Sequence, residues 1–274
     1  MNANEMIRPR CGLLIRYADG KADLYINGQV AAAKLAAVMT IVAGMPGAAE
    51  IKVMASAAFK EAYLELVPQF ERVTGHKVLT LWIPTVQMMS RLTAGETVDL
   101  VIMASGAIDE FIRLGKIAPG SRVDLAKSGV GVAVRAGAPH PDISTAEAFK
   151  RALIAAKSIV ISTGPSGVYL AGLFQRMGIA DELKAKMKQV MGEPTGAVVA
   201  RGEAEIGFQQ VCELLPVAGI DLLGPLPAEI QRVTVFSAGQ HVSSHAADAA
   251  RSLVAFLTAP DAVPIIKKKG MQPA

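Results

Sequence analysis

The chain has 274 residues, with 28 Lys or Arg, 24 Asp or Glu, and only 5% aromatic residues. A formal net charge of +4 over this length gives no dense basic patch, which argues against a nucleic-acid-binding protein. The shortage of aromatic side chains also argues against a stacking platform for bases or sugars.

The first predicted element is an export signal that ends near residue 50. Lys34 precedes an apolar run of roughly ten residues, and the small residues Gly47-Ala48-Ala49 follow it. This order is typical of a secretory signal peptide. The run is too short for a membrane span, which needs about 20 residues. We therefore predict a signal peptide over 30–49, removed near Ala49, and a mature protein outside the cytoplasm that keeps Cys212 as its lone cysteine.

Residues 1–29 do not resemble the start of a signal peptide, because they carry charges of both signs, among them Glu5, Arg8 and Arg10. We interpret this segment as an extension of doubtful translation, produced by an over-extended start site. Two alternatives remain open. One is a short disordered extension, and the other, less favoured, is a buried strand through Leu24-Tyr25-Ile26.

Strands and helices alternate along the mature chain. The first set predicts strands at 51–54, 77–82 and 98–103 and helices at 59–74, 87–92 and 109–114. The second set predicts strands at 130–134, 158–162, 206–208 and 220–223, helices at 145–156 and 164–177, a late strand at 233–237, and closing helices at 246–257 and 262–269. This order is typical of parallel sheets with helices on their faces. We predict two α/β lobes, the first from 50–131 and 237–274 and the second from 132–236.

Five predicted strands end in loops that carry hydroxyls, amides and glycines but no charged side chain. Parallel α/β sheets bind ligands beyond the carboxyl ends of their strands, near helix N-termini. Each loop taken alone is explained as a turn or a helix cap, whereas their recurrence favours an anion site built from neutral donors. The candidate ligand-binding residues are Ser56, Ala57, Thr85, Ser105, Ser166, Gly167, Val168, Tyr169, Gln209 and Gln210.

Other kinds of site find little support. Ser166 lies in Gly164-Pro165-Ser166-Gly167, which lacks the Gly-x-Ser-x-Gly spacing of a nucleophile elbow. No Gly-x-Gly-x-x-Gly or Walker A motif occurs, so we predict neither a cofactor nor a metal. The scattered histidines are interpreted as surface residues; they are His76, His140, His241 and His245.

Four segments resemble the molybdate-binding-like periplasmic solute-binding proteins, the type II group of ABC-transporter binding proteins. They are 51–59, 98–102, the Arg-Gly-Glu-Ala-Glu-Ile-Gly run at 201–207, and the closing segment at 255–273. The resemblance covers about 50–274 and implies a periplasmic, two-lobed α/β protein that is monomeric and traps a small anion in its cleft. It also implies an ABC-transporter permease as a membrane partner.

Three positions depart from the pattern of molybdate binders: Ala58 replaces a serine, Pro84-Thr85-Val86 replaces a Ser-Gly-Thr type turn, and Gln209-Gln210 replaces a tyrosine. The Gly-Pro-Ser-Gly-Val-Tyr loop at 164–169 is instead similar to the aconitate isomerase branch of the family. A small organic acid is therefore the rival ligand, and isomerisation the alternative to binding. The favoured loops offer no base, which supports binding; a base for isomerisation would have to come from Tyr169, Glu213 or Ser105.

Overall fold

The computed structural model describes the backbone of 13–18, 21–26 and 29–30 and all of 47–274. The first three segments are strands β1 (Leu13–Ala18), β2 (Lys21–Ile26) and β3 (Gln29–Val30), which form an antiparallel sheet. A strand therefore does run through Leu24-Tyr25-Ile26. The apolar run of the predicted signal peptide lies outside the described residues. Residues 1–48 and 49–274 form two separate compact units.

The second unit alternates strands and helices along its whole length. Its strands are β4 (Glu50–Ala55), β5 (Lys77–Trp82), β6 (Leu100–Ala104), β7 (Val123–Arg135), β8 (Ile159–Ser162), β9 (Met187–Val190), β10 (Ile206–Gln210), β11 (Ile220–Pro225), β12 (Val233–Gln240) and β13 (Gln272–Pro273). Its α-helices are α1 (Lys60–Thr74), α2 (Thr85–Thr93), α3 (Ser105–Arg113), α4 (Ala146–Ala155), α5 (Pro165–Arg176), α6 (Ala180–Lys184), α7 (Thr195–Ala200), α8 (Val211–Leu214), α9 (Ala247–Leu257) and α10 (Val263–Lys268).

The strands of the second unit join one mixed sheet in the order β5-β4-β6-β12-β7-β10-β8-β9, with β11 and β13 also paired to β7. The outer triplets β5-β4-β6 and β10-β8-β9 are parallel. Between them, β12 and β7 run antiparallel to their neighbours. Helices connect the parallel strands, as such connections require. The predicted α/β class is confirmed, and the sheet has two parallel halves joined by antiparallel strands.

The long strand β7 belongs to both halves of the sheet. Its first part pairs with β12, up to Gly129, and its second part pairs with β10, from Val130. The sequence predicted only the second part, because Asp124 and Lys127 interrupt the apolar pattern of the first. The structure thus corrects this strand to 13 residues.

Each half of the sheet is covered on both faces, which explains the near-continuous apolar runs of its strands. On β4, Ile51 and Val53 join the core formed with α1, α9 and α10, whereas Met54 joins the opposite core. This alternation is the two-residue period of a strand. In the other half, Phe149 and Phe208 contact each other edge to face, with ring centroids 5.7 Å apart.

The predicted surface location of the histidines is wrong for two of the four. His76 and His241 are each only 3% exposed. The Nδ1 atom of His76 accepts a hydrogen bond from the Ala49 N–H at 3.1 Å, so a backbone partner compensates its burial. His140 and His245 are exposed, as predicted.

Candidate functional site

A cavity of about 410 Å³ lies between the two halves of the sheet. Its walls come from residues that follow the carboxyl ends of β4 and β5 on one side and of β8, β9 and β10 on the other, where a parallel sheet places its ligands. The polar or charged residues in its lining are Ser56, Lys60, Glu61, Thr85, Ser162, Thr163, Glu193, Gln209 and Glu213.

Ser56 is the most exceptional residue of the first wall. It follows β4 and precedes the short 3₁₀ turn Ala57–Phe59, and its N–H donates to the Ile102 carbonyl at 2.9 Å. Its side chain is 7% exposed, and its Oγ has no hydrogen-bond partner among the described residues. A buried hydroxyl without a partner costs about 1–3 kcal/mol. Such a group at the wall of a cavity is expected to bond a ligand.

The first wall also carries charge. Lys60 and Glu61 begin α1 and line the cavity. The Lys60 Nζ lies 5.7 Å from the centroid of the Trp82 ring, so the aromatic face holds this cation beside the cavity. Sequence reasoning missed Lys60 because it searched the loops, and this lysine lies one residue inside the helix that follows the turn.

The second wall begins with the connection from β8 to α5, where Ser162, Thr163, Gly164 and Pro165 line the cavity. The Ser162 Oγ accepts from the Gly164 N–H at 3.2 Å and shares a hydrogen bond of 3.2 Å with the Ser166 Oγ. A Cβ atom on Gly167 would lie only 1.7 Å from the Ser162 carbonyl oxygen. The first turn of α5 therefore packs directly on the end of β8, which brings its free N–H groups to this wall.

Two residues of the second wall, Gln209 and Glu213, form a chain of hydrogen bonds with Thr195, which is fully buried behind the lining. The Gln209 Oε1 accepts from the Thr195 N–H at 2.8 Å and from the Thr195 Oγ1 at 3.1 Å. The Gln209 Nε2 then donates to the Glu213 Oε1 at 2.9 Å. Because two donors meet Oε1, the orientation of the Gln209 amide is defined. Gln209 therefore presents a donor to the Glu213 carboxylate.

The pKa of Glu213, an acidic residue of the cavity, lies above the ordinary value of a glutamate. Burial raises its pKa to about 7, while hydrogen bonds from the Gln209 side chain and the Gln210 backbone limit the rise. Glu193, on the same side, accepts from the Arg201 guanidinium at 2.6 Å, so its charge is paired. The cavity thus places hydroxyl donors, one lysine and one easily protonated carboxyl around a common space.

The structure brings together four of the ten predicted ligand-binding residues at this cavity: Ser56, Ala57, Thr85 and Gln209. The other six lie outside its lining: Ser105, Ser166, Gly167, Val168, Tyr169 and Gln210. Of the three residues considered as a base, only Glu213 lines the cavity.

Several of the outlying residues have other contacts. Val168 is 68% exposed, and the Tyr169 hydroxyl donates to the Ile230 carbonyl at 2.7 Å. Gln210 is 1% exposed. In the orientation that satisfies its neighbours, its nitrogen donates to the Ser128 carbonyl at 2.9 Å and its oxygen accepts from the Thr234 hydroxyl at 3.1 Å. Gln210 therefore ties β10 to the two antiparallel strands between the halves.

Comparisons with known proteins agree with this architecture. Residues 51–272 match the model of a family described as bacterial extracellular solute-binding protein. The chain is 39% identical to an aconitate isomerase from Pseudomonas sp. over 229 residues, which is 81% of this chain and 87% of that protein. It is 27% identical to the molybdate-binding protein ModA of Azotobacter vinelandii over 232 residues, 81% of this chain and 90% of that protein.

A solved structure of the periplasmic molybdate-binding protein of Azotobacter vinelandii shares the fold. It aligns with a TM-score of 0.69 at 21% identity and covers 82% of this chain and 99% of that one. The family match over 51–272 includes both walls of the cavity.

Proposed function

Because the chain belongs to the bacterial extracellular solute-binding protein family, we propose that it binds a small organic acid with several carboxylates in the cavity between the sheet halves. The observation that carries this proposal is the size of the cavity, about 410 Å³, together with its wall of hydroxyl donors. Sites for small molecules commonly have volumes of roughly 300–1,000 Å³.

An inorganic oxyanion is small for this space. Its oxygens surround a single atom, so one ion meets donors that are gathered around one point. A di- or tricarboxylate carries several anionic groups, so it offers one to Ser56 and Lys60 on one wall and another to Ser162 and Thr163 on the other. The higher identity to an aconitate isomerase than to a molybdate-binding protein also supports an organic acid.

A calorimetric panel tests the ligand class. Purified protein is titrated with molybdate, tungstate, sulfate, citrate, cis-aconitate and trans-aconitate. We expect the tricarboxylates to bind and the tetrahedral oxyanions to bind at least about tenfold more weakly. Tighter binding of molybdate or tungstate would overturn the proposal. Ser252→Ala supplies a control variant, since Ser252 is a half-buried helix residue outside the lining of the cavity, and its Oγ donates to the Asp248 carbonyl.

A second candidate function is isomerisation of the bound acid, as the name of the Pseudomonas relative indicates for that protein. The observation that favours it is Glu213, a carboxyl at the cavity wall with a pKa of about 7, because a general base works best near the ambient pH. The test is incubation of cis-aconitate with a catalytic amount of protein. Conversion of many equivalents to the trans isomer supports an enzyme, whereas binding without conversion leaves the first proposal alone.

We also propose that the protein is exported to the periplasm, that 30–49 is its signal peptide, and that it delivers its ligand to an ABC-transporter permease. The family description and the Lys34 to Ala49 pattern support this. N-terminal sequencing of protein from the periplasmic fraction should find Glu50 or a neighbouring residue. Intact protein beginning at Met1 and confined to the cytoplasm would contradict it.

Finally, we propose that the two halves act as lobes, with 50–131 and 237–274 in one and 132–236 in the other. The cores support this division, since α9 and α10 pack with β4 and α1, while Phe149 and Phe208 belong to a separate core. A monomer that closes on its ligand should show a smaller radius of gyration in solution scattering when citrate or an aconitate is bound. An unchanged radius with bound ligand would contradict closure.

A further inference from the structure

We propose that Glu213 transfers a proton between two carbon atoms of the bound acid and that Gln209 is the positioning residue that holds it for this step. The inference rests on the second candidate function above. It assigns the chemistry to one side chain, which neither the family description nor the names of the relatives do.

The geometry singles out Glu213 among the acids of the cavity. Glu193 forms a salt bridge of 2.6 Å with Arg201, so its negative charge is already balanced by a cation of the protein. Glu61 lies on the opposite wall, in the first turn of α1. Glu213 is instead bonded to a neutral amide, the Gln209 Nε2, at 2.9 Å. A neutral donor fixes the carboxylate without neutralising it, so the group stays able to take up a proton.

The side chain that donates to Glu213 is itself held in place by hydrogen bonds. Gln209 is buried, and both hydrogen bonds to its Oε1 come from Thr195, itself fully buried at the start of α7. The amide therefore has no freedom to turn over and present its oxygen to Glu213. One edge of the carboxylate is held by the protein, while the same side chain lines the cavity. This is the arrangement that a positioned acid–base group requires.

Among the described residues, three other charged groups share the cavity with Glu213, and none of them is a cause of its displaced pKa. They are Lys60 and Glu61 from α1 and Glu193 from the connection between β9 and α7. Burial raises the Glu213 pKa to about 7, and the hydrogen bonds from Gln209 and the Gln210 backbone work against the rise. At neutral pH the group therefore exists in both forms, as a base that accepts a proton and an acid that returns one.

The step is a balanced 1,3-shift. In an unsaturated tricarboxylate such as cis-aconitate, the Glu213 carboxylate removes a proton from the methylene carbon. The electrons of that C–H bond form a new C=C bond, and the electrons of the old C=C bond bind a proton returned by Glu213 at its far carbon. One C–H bond breaks and one forms, so no oxidant or reductant is needed. Lys60 and the hydroxyls of the walls stabilise the negative charge that spreads into the ligand's carboxylates during the shift.

The experiment compares wild type, Glu213→Gln and Gln209→Met with cis-aconitate in H₂O and D₂O, after calorimetry and thermal unfolding establish that each variant folds and binds. For wild type we expect conversion to the trans isomer, less than one solvent deuterium per product molecule because the same group removes and returns the proton, and a kcat/KM that rises with pH through about 7. Glu213→Gln should lose at least about 100-fold in turnover, the range of general-base effects, while binding trans-aconitate within about threefold of wild type. Gln209→Met removes the donor that lowers the Glu213 pKa, so its kcat/KM profile should shift to higher pH.

The outcomes distinguish the isomerase function itself from the role of Glu213 in it. If wild type binds aconitate without converting it, the isomerase function and the role of Glu213 both fall, and the binding proposal stands. If wild type converts it and Glu213→Gln does so equally well, the isomerase function stands and Glu213 is not its base. A Gln209→Met profile that keeps its position on the pH axis removes Gln209 as the positioning residue. Glu213→Gln protein that folds but no longer binds would also overturn the assignment, since the residue would then be a binding group.

Discussion

The two walls of the cavity differ in whether their polar groups are hydrogen-bonded within the protein. On the first wall, the Ser56 hydroxyl is buried without a hydrogen-bond partner among the described residues, and the Lys60 Nζ lies over the face of the Trp82 ring. On the second wall, Ser162 is bonded to Ser166 and Glu213 to Gln209. The first wall thus leaves its donors for the ligand, and the second wall uses protein hydrogen bonds to hold its groups in place. Changes in the first wall should act mainly on binding, and changes in the second should act mainly on stability and proton chemistry.

We expect the largest effect from Gly167→Ala, which should lower the free energy of unfolding by disturbing the second wall. The new Cβ would lie 1.7 Å from the Ser162 carbonyl oxygen, so α5 must move away from β8. Overpacking typically costs about 1–3 kcal/mol, and a clash with backbone this severe should cost about 3 kcal/mol or more. Chemical unfolding measures the loss.

Gly164→Ala is the matched control for this change. Its φ of −78° suits any residue, and its nearest neighbour would be the Ser162 Oγ at 3.5 Å. We expect a change within about 0.5 kcal/mol. Equal losses of unfolding free energy in the two variants would show that the close contact between α5 and β8 does not stabilise the second wall.

Ser56→Ala should act on binding alone. A hydrogen bond to a charged ligand contributes about 1.5–3 kcal/mol, so titration calorimetry with the best tricarboxylate should show affinity reduced about tenfold or more. Stability should be unchanged or slightly higher, because an unpaired buried hydroxyl is removed.

Ser166→Ala provides the contrast within the second wall. The sequence places Ser166 in the ligand site, whereas its side chain is bonded to Ser162 and lies outside the lining of the cavity. From the structure we expect a loss of about 1 kcal/mol in unfolding free energy and less effect on binding than in Ser56→Ala. The reverse order would assign the ligand to the α5 side of the cavity.

Glu213→Gln should change stability in a pH-dependent way. The pKa is about 7 in the folded protein and about 4.3 in an unfolded chain, so the unfolded state releases this proton first as the pH rises. Wild-type stability contributed by this group therefore falls between about pH 4.5 and pH 7. Glutamine removes that loss, so the variant should match wild type at acid pH and exceed it by about 1–2 kcal/mol at pH 8, a value reduced for the access of solvent through the cavity. Unfolding curves at pH 5 and pH 8 with the same difference would contradict the raised pKa.

Much of the fold was predictable because its boundaries carry strong local signals. Gly75 ends α1 with a φ of 75°, and Pro84 follows β5, so both ends were located from the sequence. The strand β9 was missed because Lys188 and Gln189 interrupt its apolar pattern, which is permitted at the edge of a sheet. The predicted resemblance to periplasmic solute-binding proteins and the type II fold are confirmed by the family match and the aligned structure.

The site was less predictable, because position in the chain does not determine which side chains face a shared space. The neutral loops after β4, β5 and β8 were visible in the sequence. However, Ser162 and Ser166 lie only four residues apart, and it is the structure that shows Ser162 in the lining of the cavity and Ser166 outside it. The charged residues on helices were equally hidden, since nothing local distinguishes Glu213 from a solvated helix residue.

The smallest expected effect belongs to Lys60→Gln, the other variant of the first wall. Lys60 is partly exposed, and its Nζ is held 5.7 Å from the Trp82 ring, so its attraction for an anion is screened by water and salt. We expect affinity for a tricarboxylate to fall only a few-fold at low salt, with wild type and variant converging as the salt concentration rises. Ser56→Ala should keep its full loss over the same range, because a short hydrogen bond in a buried site is screened much less. Titrations of both variants at low and high salt make the comparison, and a Lys60→Gln loss that is large and independent of salt would mean that this lysine bonds the ligand directly.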